Sequence, residues 1–132
     1  MTTFRFQYLN NYTNHGQNAE QSIRFTLTGE IAKADNLRHD LGADCLNFQI
    51  KSARATVCKG EDLEGYLDRD ASTAYIYATN EGTAYIMNRA EYTEFVKEFG
   101  TLTVESAKNG GTKKIRLRHE TAAMLEWLAE RV

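Results

Sequence analysis

Cys45-Leu46-Asn47-Phe48-Gln49-Ile50-Lys51-Ser52-Ala53-Arg54-Ala55-Thr56-Val57-Cys58 carries the clearest periodicity in the chain. Leu46, Phe48, Ile50 and Val57 are apolar, and polar residues interleave with them. A period of two belongs to a strand that packs one face on a core. The spacing predicts a strand over residues 45–58. Phe48 and Ile50 then point inward, and Gln49 and Lys51 share the opposite face.

The segments around this strand alternate between helical and extended patterns. Residues 3–9 read as a strand with Phe4, Phe6 and Tyr8 on one side. Residues 17–28 read as a helix, with Ala19, Ile23 and Leu27 at four-residue spacing and Gly29 as its stop. A short strand is expected at 31–35, and a short helix at 61–68 with Leu63, Tyr66 and Leu67 on one face. Residues 73–79 and 83–87 form a hairpin around Asn80-Glu81-Gly82. Asn88 caps a helix bearing Tyr92, Phe95, Val96 and Phe99, and Gly100 ends it. A second hairpin pairs 101–104 with 113–118 through Lys108-Asn109-Gly110-Gly111. The closing helix, 120–131, has Ala122, Leu125, Leu128, Ala129 and Val132 on one face. The chain has no proline, so its turns rest on Gly and Asn. This order predicts a mixed α/β (α+β) fold, a central mixed sheet flanked by helices.

The 132 residues make one domain, 1–132, able to bury roughly two-thirds of the surface its unfolded chain exposes. No stretch approaches the roughly 18 apolar residues of a membrane span. The first twelve residues lack the apolar run of a signal peptide. Cys45 and Cys58 do not form a metal-type pair and are too few for a disulfide scaffold, so they read as strand residues in a reducing compartment. The expected setting is the cytoplasm, with no membrane contact.

A net charge of −2 and a pI near 5.9 argue against a passive nucleic-acid coat protein, but local charge matters more than the sum. Across residues 46–60 the only charges are Lys51, Arg54 and Lys59. Across 106–119 they are Lys108, Lys113, Lys114, Arg116 and Arg118. Residues 61–70, between them, are strongly acidic. A basic hairpin of this kind suits contact with a phosphate backbone, which gives affinity rather than sequence choice. The bland alternative is that lysines protect an exposed edge strand from pairing with other chains.

Gln49 and Lys51, one residue apart on a rigid strand, are a pairing that phosphodiester hydrolysis can use. A divalent metal polarises the phosphate and generates hydroxide, while a lysine orients the water and offsets developing charge. An acidic residue followed by a strand with (Asp/Glu/Gln)-x-Lys resembles the active site of the PD-(D/E)XK nucleases, which include restriction and homing endonucleases and junction resolvases. The likeness covers roughly residues 20–60 and rests on Gln49-Ile50-Lys51, preceded by an amphipathic helix and an acidic segment. It departs from the pattern in having Gln49, an uncharged ligand, in place of the usual acid, and no proline before any Asp.

The resemblance implies a restriction-endonuclease-like core with Asp35, Gln49 and Glu20 as Mg²⁺ ligands (Mn²⁺ as a substitute) and Lys51 positioning the water. Asp44 and then Asp40 are the alternatives to Asp35. Asp44 is five residues before Gln49, which reads as too close for a separate strand. Arg54, continuing the strand, joins Lys59, Lys108, Lys113, Lys114, Arg116 and Arg118 as expected contacts to double-stranded or branched DNA. Cutting both strands implies a homodimer or homotetramer, with Met124 and Trp127 of the last helix available for the interface. The cell would be bacterial or phage-infected.

Plainer readings stand beside these. Gln49 and Lys51 suit a solvent-facing strand edge, Asp35-Asn36 suits a turn, and Glu20 suits a solvated helix. His15, His39 and His119 read as surface residues without partners. The tyrosines of the 75–85 hairpin read as core, with a base-stacking platform as the alternative. The competing functions are a non-catalytic DNA-binding module and an accessory interaction protein that meets its partner through 61–70.

Overall fold

A computed structural model describes residues 1–10, 14–28, 41–43, 46–60, 62–70, 72, 74–104 and 113–132. Among them are eight strands and four helices in the order β1 (Thr2–Arg5), α1 (His15–Thr28), β2 (Leu41–Ala43), β3 (Leu46–Ser52), β4 (Thr56–Lys59), α2 (Leu63–Arg69), β5 (Ala74–Ala78), β6 (Thr83–Met87), α3 (Arg89–Phe99), β7 (Gly100–Val104), β8 (Lys113–Leu117) and α4 (Ala122–Ala129). The expected mixed fold, a sheet flanked by helices, is the fold observed. The strand expected at 31–35 and the turn at 108–111 lie outside the described residues.

The strands form two sheets, one ordered β1-β6-β5-β3-β2 and one ordered β4-β8-β7. The larger is mixed, because β3 runs parallel to β5 while its other pairs are antiparallel. β3 is therefore interior, with β5 on one side and β2 on the other. The described pairing with β2 covers only residues 46–48 of β3, so on that side Gln49 and Lys51, both half-buried, lie beyond it, and the reading of them as strand-edge residues is kept.

Alternation along the strands builds two cores. Ile50, Ile76, Ala78 and Ala84 face α1 and pack with Phe6, Ala19 and Ile23; Phe48 lies half-buried against them. The opposite faces of β5 and β6 carry Tyr75, Tyr77 and Met87. These pack with Tyr92, Phe95 and Val96 of α3, Leu63 and Leu67 of α2, Met124 and Leu128 of α4, and Val57 and Leu117 of the smaller sheet. The molecule is thus layered as α1, the large sheet, and then the remaining helices with the inner face of the small sheet. Tyr75 stacks on Tyr92 at 4.2 Å between ring centroids, and Phe95 lies 5.1 Å from Tyr77. Tyr75 and Tyr77 are 3% and 1% exposed, so they offer no base-stacking platform.

The helix ends follow their caps. Asn88 caps α3, as the sequence predicts, and Glu91 makes the cap a reciprocal capping box. Asp62 caps α2 and Thr121 caps α4 through their side chains. At α1 the Asn14 carboxamide accepts from the Gln17 N–H at 3.0 Å, so the helix starts at His15, two residues before the start expected at 17. Leu27 of α1 is exposed, and the buried stripe runs instead through Asn18, Ala19, Ser22 and Ile23. The two polar members are matched: Ser22 Oγ accepts from Leu9 N and Asn18 Oδ1 from Asn10 N.

Three expectations need correction. The 45–58 stretch is not one strand. β3 ends at Ser52, and β4, in the other sheet, begins at Thr56. On α4 the buried residues are Met124 and Leu128, while Ala122, Ala129 and Val132 are exposed. Met124, 2% exposed, belongs to the core and is not free for a dimer interface, while Trp127 is half-buried and packs against that core. Among the described residues, no helix is long and apolar enough to cross a membrane.

Candidate functional site

The chain between β3 and β4 reverses through a tight turn, in which Ala55 N donates to Ser52 O at 3.1 Å. Arg54 sits at its third position with φ 65°. That is left-handed territory where glycine or asparagine is usual. The backbone is held against the end of β8, with Arg54 N donating to Arg118 O (3.4 Å) and Leu117 N to Ala55 O (2.9 Å). Arg54 therefore does not extend the strand bearing Lys51; it occupies the corner between the two sheets.

This corner closes a cleft of about 530 Å³. One wall is the start of α1, with Asn14, His15, Gly16 and Glu20. Another is the end of β3 and its turn, from Ile50 to Thr56, including Lys51 and Arg54. Asn80 and His119 complete it. The first turn of α1 contains no acidic residue, so the positive end of its dipole is not offset locally. Arg54 Nε lies 3.0 Å from Nε2 of His119, and a terminal guanidinium nitrogen lies 2.6 Å from the same atom. His119, expected to stand alone, thus has a partner 65 positions away.

Beside the cleft, the Glu120 carboxylate accepts from Asn80 N at 3.2 Å and from the Tyr77 hydroxyl at 3.3 Å. Burial and then the Glu120 charge push the Tyr8 hydroxyl up to about 12. They push Tyr77 up as well, in the same order of importance.

The remaining candidate residues are distributed as follows. Glu20 and Lys51 line the same cleft. Gln49 is half-buried beside Tyr75 in register and does not line it. Asp35, Asp40 and Asp44 lie outside the described residues, as does Lys108. The strand that pairs antiparallel with β3 is β2, which starts immediately after Asp40 and ends immediately before Asp44. Only positions 44 and 45 separate the paired strands, so closeness to Gln49 is no argument against Asp44. Among the described residues, no three His, Cys, Asp or Glu side chains are grouped to hold a metal. Among the described residues Glu20 is the one carboxylate lining the cleft, and alone it does not make a Mg²⁺ site.

β8 is the central strand of the small sheet, flanked by β4 and β7. Its basic residues therefore do not guard an edge. Lys114 is in register with Lys59, and Arg116 with Thr56 and Thr101. These residues lie on the face opposite Ile115 and Leu117, which pack on the core. Arg116, Arg118, Lys59 and Lys113 are exposed. Charge is segregated across the molecule. On the helices Arg89 pairs with Asp68 (2.6 Å), Lys97 with Glu64 (3.6 Å) and Arg131 with Glu94 (3.8 Å). Lys51, Arg54, Lys59, Lys113, Arg116 and Arg118 have no carboxylate partner among the described residues.

The arrangement is that of a cationic cleft beside a cationic sheet face, suited to a phosphate-bearing polymer. Comparison with protein-family models, with curated proteins and with solved structures finds no match to this chain.

Proposed function

We propose that the chain is a metal-dependent nuclease that works at the cleft between α1 and the end of β3 and holds DNA along the outward face of β8. The observation that carries this reading is the meeting of Glu20 and Lys51 in one cleft, from a helix and an interior strand. These are the two elements from which the PD-(D/E)XK resemblance draws a carboxylate and a lysine. Lys59, Lys113, Arg116 and Arg118, which have no carboxylate partner among the described residues, supply backbone affinity together with Arg54 and Lys114, without base selection. Lys51 then contributes a positive charge toward a phosphate oxygen or the attacking water. The metal, Mg²⁺ or Mn²⁺, requires carboxylates beyond Glu20, and Asp35, Asp40 and Asp44 are the candidates in the sequence. Cleavage of both strands of a duplex would call for two copies of the chain.

The test is incubation with supercoiled plasmid and with branched DNA in Mg²⁺, Mn²⁺ or EDTA. Variants Lys51→Ala, Glu20→Ala, Asp35→Ala and Asp44→Ala are run alongside. Metal-dependent cutting that falls by about a hundredfold or more in Lys51→Ala supports the reading, and the aspartate variants assign the ligand. A second reading, a DNA-binding module without catalysis, is favoured by the uncharged Gln49. Salt-sensitive DNA binding with no cutting in any metal, unchanged by Lys51→Ala, would establish that reading and overturn the first.

A further inference from the structure

We infer that the cleft holds one backbone phosphate of a nucleic-acid strand, with Arg54 as its principal ligand and His119 as the resting place from which Arg54 is recruited. The inference rests on the reading of the chain as a DNA-acting protein and names the group that this cleft takes.

Three observations converge on it. Arg54 holds a backbone conformation that glycine would hold without strain, at a turn whose geometry is otherwise fixed by hydrogen bonds to Ser52, Arg118 and Leu117. An arginine retained at such a position points to a role for its side chain. That side chain is exposed, and its only partner among the described residues is His119. Only a neutral imidazole nitrogen can accept from a guanidinium, so the contact leaves the arginine charge uncompensated. Lys51, His15 and the first turn of α1, which carries no acidic residue, line the same space, and among the described residues Glu20 is the one carboxylate against them.

A phosphate entering the cleft offers oxygens that match the guanidinium fork with two parallel charge-assisted bonds. Arg54 exchanges a neutral acceptor for an anionic one, and the His119 ring nitrogen is released. Thr56 of the cleft wall is in register with Arg116, and Lys59 with Lys114 further along the same pair of strands, so a strand bound along the small sheet passes one phosphate into the cleft.

The experiment measures binding of a short duplex in EDTA, where no cutting occurs, across a salt series. Arg54→Gly is expected to melt no lower than the parent protein, because glycine suits φ 65°. Its DNA affinity is expected to drop by roughly tenfold or more, with the slope of log K against log salt lowered by about one. Arg54→Lys, which keeps the charge and loses the fork, should recover the slope but not the full affinity. Arg89→Ala, removing an equal charge from the helical side, should change neither. Duplexes with and without a 5′-phosphate separate an internal phosphodiester, which binds both alike, from a terminal phosphate, which would overturn the backbone assignment. Parental affinity and slope in Arg54→Gly, with a lowered melting temperature, would make Arg54 a structural tie to His119 and overturn the inference while leaving the nuclease reading intact. If the parent protein binds no DNA, the nuclease reading fails. NMR of the His119 ring with inorganic pyrophosphate then decides the cleft: an Arg54-dependent shift keeps the phosphate site, and no shift removes it.

Discussion

Gly82→Ala is a demanding test of how the turn between β5 and β6 holds the first strand of the sheet. Gly82 has φ 89°, and a Cβ built on it would stand 2.5 Å from the carbonyl oxygen of Phe6. Its own carbonyl accepts from Phe6 N at 2.9 Å, so the two residues are locked back to back. Ordinary contact begins near 3.4 Å, so the Phe6 carbonyl must retreat by close to 1 Å. The positive φ costs an alanine about 1 kcal/mol or somewhat more. Disrupting the Phe6 hydrogen bond and the packing of that buried ring adds on the order of 1–2 kcal/mol. The sum is about 2–4 kcal/mol, or a fall in Tm of roughly 8–15 °C for a domain of this size. Gly60→Ala is the control. Gly60 has φ 78° but is exposed, so it pays only the backbone cost. Urea unfolding followed by far-UV circular dichroism gives both values. If the two variants differ by less than about 0.5 kcal/mol, within the usual error of such extrapolations, steric locking of β1 through Phe6 is wrong.

Two further outcomes are expected. Burial holds the Tyr8 and Tyr75 hydroxyls up to about 12, against 10.0 for a free tyrosine, and Tyr77 is raised too. The unfolded chain therefore releases these protons first as pH rises. Stability is fully present below pH 10 and declines between 10 and 12, as each lagging tyrosine is ionised in the unfolded chain before the folded one. A urea midpoint that stays level from pH 9 to 11.5 would contradict this. Asn88→Ala removes half of the α3 capping box and should cost about 1 kcal/mol. Asn88→Ser should restore most of it, and equal losses in the two variants would mean that the cap contributes nothing through its side-chain acceptor.

Much of the fold was legible because alternation and capping are local. Phe48 and Ile50, the 80–82 turn and the Asn88 cap all announce themselves within a few residues. The break at Ala53-Arg54 does not. The positive φ falls on an arginine, so neither Gly nor Asn marks it, and the polar-apolar rhythm carries on into β4. β2 is three residues of Leu-Gly-Ala, too short and too even in character to show a period. The site suffers most from this. The hairpin of β7 and β8 can be read from its turn residues, but that β4 completes the sheet and makes β8 central depends on pairs such as Thr56 with Arg116. The partnership of Arg54 and His119 is equally long-range. A pattern of three or four residues can propose Lys51 and Glu20, and only the folded chain can bring them to one cleft.

β8 has a consequence for how the protein is born. β4 and β7 hydrogen-bond to β8 and not to one another, so neither has a partner in the small sheet until residues 113–117 have been synthesised. Residues 113–119 also bring Lys114, Arg116 and His119. A nascent or prematurely terminated chain that lacks them has neither the cationic strand nor the far wall of the cleft. Assembly of the small sheet and of that wall of the cleft is thereby deferred until β8 has been made, and a chain cut short before it lacks both by topology alone.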